Sequence, residues 1–64
     1  MYEITMDDGK LITANTIPEV RKAIRTEMPG ITSLSLLESV NGYIAVEGSK
    51  KYPKSETLAW IRKI

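Results

Sequence analysis

Thr16 to Met28, TIPEVRKAIRTEM, is the one long segment of this 64-residue chain with a helical period. Ile17, Val20, Ile24 and Met28 recur at the spacing that lines one side of an α-helix with apolar groups. Thr16 and Glu19 stand at capping-box spacing, where hydroxyl and carboxylate each answer a free backbone N–H at the helix start. Pro18 suits the first turn, because the N–H it lacks has no partner there anyway. It also biases Ile17 away from helix, which makes Ile17 the alternative cap. Pro29 and Gly30 end the element. A helix with a single apolar stripe needs a sheet beneath it, and the flanking segments supply strands.

On the N-terminal side, Tyr2 to Met6 and Lys10 to Ala14 flank Asp7-Asp8-Gly9, a hairpin signal in which glycine takes the positive φ. A two-residue turn would oppose Met6 to Leu11 and mix polar with apolar on each face. A three-residue loop pairs Ile4 with Ile12 and Tyr2 with Ala14, giving one apolar face, and is the preferred register. On the C-terminal side, Ile31 to Glu38 reads as a strand, with Leu34 and Leu36 on one face and Ser33, Ser35 and Leu37 on the other. Val40-Asn41-Gly42 then suggests a second hairpin. A three-residue loop would oppose Leu36 to Val46 and Glu38 to Ile44, and a type I′ turn at Asn41-Gly42 would shift every pair by one.

The last segment has two readings. Ser55 can cap a short helix with Glu56 at its positive end and Arg62 and Lys63 at its negative end. Leu58, Ile61 and Ile64 would form its inward stripe, with Trp60 on the shoulder. A fifth strand over Thr57 to Ile61 is the competing reading. With the helix preferred, the expected class is α+β, one domain over residues 1–64, in the order ββαββα. A four-stranded, mostly antiparallel sheet would pack on one central helix, followed by a short C-terminal helix. With strands numbered along the chain, the order would be 2-1-3-4 or a β-grasp-like 2-1-4-3. The run Asn15-Thr16-Ile17-Pro18-Glu19-Val20-Arg21-Lys22-Ala23-Ile24 resembles the helix start of ubiquitin-like β-grasp proteins. That resemblance covers one element and implies a fold, with no function attached.

Composition narrows the chemistry. A core of this size supplies only ~3–5 kcal/mol, and self-association is a natural supplement, so a homodimer fits the chain. There is no cysteine, which excludes disulfides and thiolate metal sites, and no histidine, which removes the commonest neutral-pH base. Ser33, Ser35 and Ser55 therefore have no imidazole to activate them, and Asp7-Asp8 reads as a plain turn. No enzyme, cofactor or metal is expected. The opening MYEITMDDGK lacks a basic then apolar leader, and no apolar run reaches the ~18 residues of a membrane span. A cytoplasmic protein away from membranes is the expectation.

Three features bear on partners. The first is the basic edge of the helix, Arg21, Lys22 and Arg25, whose like-charged i, i+4 pair needs an acidic answer from the carboxylates of the first hairpin, from Glu38 and Glu47, or from an acidic ligand. The second is the tail: residues 50–64 carry a net +4 against −2 over residues 1–15. It holds Lys50, Lys51, Tyr52, Lys54, Arg62 and Lys63, the basic and aromatic content of a nucleic-acid contact. The third is surplus apolar surface at Leu11, Leu37 and Val40 on the sheet face away from the helix. The favoured reading is a small non-catalytic intracellular binding or regulatory protein that docks a protein partner through Leu11, Leu37, Val40 and Trp60. The alternative is a nucleic-acid-binding module using the basic residues of the helix and tail.

Overall fold

In a computed structural model that describes all 64 residues, the chain runs β1 (Tyr2–Met6), β2 (Leu11–Ala14), α1 (Ile17–Glu27), β3 (Leu34–Ser39), β4 (Gly42–Gly48) and β5 (Pro53–Lys63). The strands form one antiparallel sheet in the order β2-β1-β5-β4-β3, and α1 crosses one face of it. No helix is long and apolar enough to cross a membrane.

The expected four-stranded sheet with a C-terminal helix is therefore corrected. The tail is an 11-residue strand, and it stands in the middle of the sheet. Neither 2-1-3-4 nor 2-1-4-3 holds, because β5 separates β1 from β4. The physical reason lies in the two hairpins, each of which leaves a row of backbone N–H and C=O groups without partners. A strand inserted between them satisfies both rows at once, whereas a helix satisfies only its own backbone. The side chains of the segment suit a central strand, since Ala59 and Ile61 turn into the core while Trp60 and Arg62 face the other way. The Leu58, Ile61, Ile64 stripe does not form, and Ile64 is 56% exposed.

The first hairpin has the three-residue loop read from the sequence, with Ile4 opposite Ile12 and Tyr2 opposite Ala14. Gly9 supplies the left-handed residue at φ 91°, and the Asp8 carboxylate accepts the Lys10 N–H at 3.0 Å. The second hairpin departs from both expected registers. Its loop is Val40-Asn41, with Ser39 opposite Gly42, Leu36 opposite Ala45 and Leu37 opposite Ile44. Gly42 belongs to the strand because β5 passes too close for a side chain, and a Cβ there would run into the Ile61 carbonyl. This register sends Ile44 to the open face instead of the core.

The helix starts as its sequence dictates. Thr16 is the N-cap, in extended conformation, with its hydroxyl accepting the Glu19 N–H at 3.4 Å. Glu19 in turn accepts the Asn15 N–H at 3.1 Å, one residue before the usual capping-box partner. Val20 and Ile24 are fully buried against Ile4, Met6, Leu36, Ala45, Ala59 and Ile61 in a single core cluster. Ala45 and Ala59 face each other at its centre. Between Ala45 and Val46 the pairing with β5 shifts by one residue, a β-bulge that turns Leu58 towards the core beside Ala59.

Candidate functional site

On the face that α1 leaves open, the registers of all five strands bring Leu11, Thr5, Trp60, Ile44 and Leu37 into one transverse row. With strands ~4.8 Å apart, the row is about 19 Å long. Trp60 stands at its middle because β5 is the central strand. Trp60 is 47% exposed and Leu11 63%, while Ile44 and Leu37 are partly covered. The neighbouring row is Thr13, Glu3, Arg62, Gly42 and Ser39. In it Arg62 Nη2 donates to Glu3 Oε1 at 2.9 Å, so the one cation and the one anion of the two rows neutralise each other. Between exposed side chains such a pair contributes at most ~1 kcal/mol, and its clearer consequence is that the two rows carry no net charge. A shallow open depression of about 310 Å³ lies beside Trp60, walled in part by Thr5, Asn41 and Arg62.

Of the residues singled out in the sequence, Leu11, Leu37 and Trp60 are thus brought into one row. Val40 lies apart from it, at the tip of the β3–β4 hairpin and 96% exposed. Ile44 joins the row unanticipated. The signal that could have found it is Gly42, once that glycine is assigned to the strand and not to the turn.

The basic residues do not gather at one place. Arg21, Lys22 and Arg25 lie on α1, across the sheet from Trp60. Arg21 Nη1 donates to the Leu34 carbonyl at 2.9 Å. Lys50, Lys51 and Tyr52 form the loop before β5, with the Lys51 ammonium 5.6 Å from the centre of the exposed Tyr52 ring. Lys54 pairs with Glu47 at 3.6 Å. Arg62 and Lys63 stand at the other end of β5, on opposite faces of the sheet, some 20 Å or more from Lys54 at strand spacing. The remaining ion pair joins Lys10 to Glu27 at 2.9 Å and ties the first hairpin to the end of α1. The hydrogen bond and charge of Glu27 hold the Lys10 ammonium above its ordinary pKa of about 10.5.

Comparison with known protein families, curated proteins and solved structures finds no match for this chain.

Proposed function

We propose that the chain is a non-catalytic docking module that binds another protein through the open face of its sheet, with Trp60 as the central contact. The observation that carries this reading is a row across the sheet to which four of the five strands give an apolar side chain and β1 gives Thr5, with a half-exposed tryptophan at its centre. Tryptophan is enriched among the residues that dominate protein–protein binding energy, especially near the middle of a contact patch. The molecule measures 28 × 25 Å in its two longest dimensions. A face within those bounds approaches the ~800 Å² that each side of a standard interface buries. The partner is therefore a protein with a flat, largely apolar, uncharged surface that covers the whole row, with one side chain entering the depression beside Trp60.

The test compares proteins captured from lysate by the wild-type chain, Trp60→Ser, Leu37→Lys and Lys51→Ala. The captured partner, once purified, is then titrated against the wild type. Expected are retention by Lys51→Ala, loss by Trp60→Ser and Leu37→Lys, and a blue shift of Trp60 fluorescence on binding. Capture that survives both face variants would overturn the reading.

A second reading rests on Arg62, two residues from Trp60 on the same face. An aromatic platform with an adjacent guanidinium suits a stacked, single-stranded nucleic acid. It requires Trp60 quenching by single-stranded oligonucleotides that weakens steeply with salt. Absence of quenching at low salt would dismiss it.

A further inference from the structure

We propose that β3 is a self-pairing edge, through which two copies of this chain join about a two-fold axis into one continuous antiparallel sheet. This inference does not rest on the docking reading: it concerns the backbone edge of β3, whose Leu37 side chain also ends the Trp60 row.

The alternation along β3 follows from a single bond. The Gly48 N–H donates to the Ser33 carbonyl at 3.3 Å, so residues 33, 35, 37 and 39 bond towards β4. Leu34, Leu36 and Glu38 therefore aim their N–H and C=O groups outward, where no strand follows. Arg21, which reaches the Leu34 carbonyl from outside the ladder, is consistent with that direction. Exposed edges of this kind are usually blunted by lysine, proline or a bulge. The six residues of β3, LSLLES, contain neither lysine nor proline, and their pairing with β4 is regular. The opposite edge, β2, has four residues and runs straight into the turn before α1.

The charges at this edge choose the partner. Arg21 and Glu38 form no ion pair within the chain, whose three salt bridges join other residues. Both lie on the helix side of the sheet, Glu38 by alternation with the buried Leu34 and Leu36. In an antiparallel two-fold pairing with Leu36 opposite its own copy, Leu34 falls opposite Glu38 of the second copy. Side chains so opposed have Cβ atoms ~4.5–5.5 Å apart. The guanidinium already held at the Leu34 carbonyl then meets that carboxylate, and the axis repeats the contact. The Leu34 carbonyl keeps a second lone pair for the incoming Glu38 N–H. In the ten-stranded sheet that results from two five-stranded ones, both Trp60 rows face the same way. A partner with two matching surfaces would then bind with the added strength of two linked contacts.

The test is charge reversal followed by sedimentation across micromolar to millimolar concentrations. The wild type is expected to show a monomer–dimer equilibrium. Glu38→Arg and Arg21→Glu should each weaken it by about tenfold or more, as like charges replace attracting ones. Mixing the two single variants should restore association, since each then supplies what the other lacks, and so should the double variant. Arg21 also bonds the backbone, so circular dichroism accompanies every variant; Glu38→Arg, at an exposed position, is the variant expected to keep the fold intact. Amide exchange offers a second readout, with Leu36 and Glu38 protected only at dimer-forming concentrations. A strictly monomeric wild type, or a dimer indifferent to both reversals, would overturn the proposal. A dimer lost in Trp60→Ser but kept in Glu38→Arg would overturn it too, by moving the contact to the open face.

Discussion

The two faces of the sheet are cut from the same five strands, and they do different things. Under α1, Ile4, Ala45 and Ala59 lose all contact with water beneath Val20 and Ile24. On the open side, the row through Trp60 keeps about half of its largest side chain in solvent. A domain of this length hides only ~60% of the surface its unfolded chain exposes, so stability must come mainly from the covered face. Leu11 and Trp60, about half or more in solvent on that side, contribute less to folding, and the alignment of apolar groups from four strands around Trp60 calls for another account.

Substitutions on each face put that contrast to the test. The largest effect is expected from Ile24→Ala, which empties the centre of the covered side. Such truncations cost ~2–5 kcal/mol, as much as a core of this size supplies, so urea titration should find the variant largely unfolded. A loss below ~1 kcal/mol would mean that α1 is not seated on the sheet. Gly42→Ala comes next, because the new methyl group collides with the Ile61 backbone at the middle of the sheet. A loss of ~2 kcal/mol or more is expected, with amide shifts concentrated in β4 and β5. Thr16→Ala, which removes the cap of the covering helix, should lower stability by ~1 kcal/mol in thermal melts.

Trp60→Thr probes the open side. A residue of high β-propensity replaces the half-exposed tryptophan, and the unfolding free energy from urea titration should fall by ~1 kcal/mol or less with an unchanged slope. A loss as large as that of Ile24→Ala would show the two faces to be energetically equivalent. The smallest effect belongs to the rim of the covered face, at Lys10 and Glu27. The Lys10 pKa is raised on folding, so its contribution is fully present below about 10.5 and disappears as pH rises through the raised value. Stability measured from pH 9 to 12 should show a slight downward slope that Lys10→Met removes.

Legibility in the sequence follows the distance between cause and effect along the chain. The first hairpin and the helix are specified locally: Asp7-Asp8-Gly9 sets one register, and Thr16, Pro18 and the apolar stripe set the other element. The second hairpin defeats a local reading, because the constraint on Gly42 comes from the Ile61 backbone, nineteen residues on. The tail defeats it differently. Leu58, Ile61 and Ile64 suit a helix, Ala59 and Ile61 suit a strand, and only the unpaired edges of two distant hairpins decide. The candidate face inherits both difficulties. Leu11 and Leu37 follow from alternation alone, whereas the central place of Trp60 and the presence of Ile44 depend on β5.

The position of β5 also governs how the chain reaches this structure. Each hairpin can close within microseconds from neighbouring residues, but neither shares a backbone hydrogen bond with the other. They become one sheet only when a strand from the far end of the chain enters between them, as in the contact from Glu3 to Arg62, 59 residues apart. Closing so long a loop costs entropy before any pairing repays it, which places folding in the slower, milliseconds-to-seconds range of β-rich domains. In stopped-flow refolding, disruption of β5 should slow the folding limb more than an equally destabilising change within either hairpin turn.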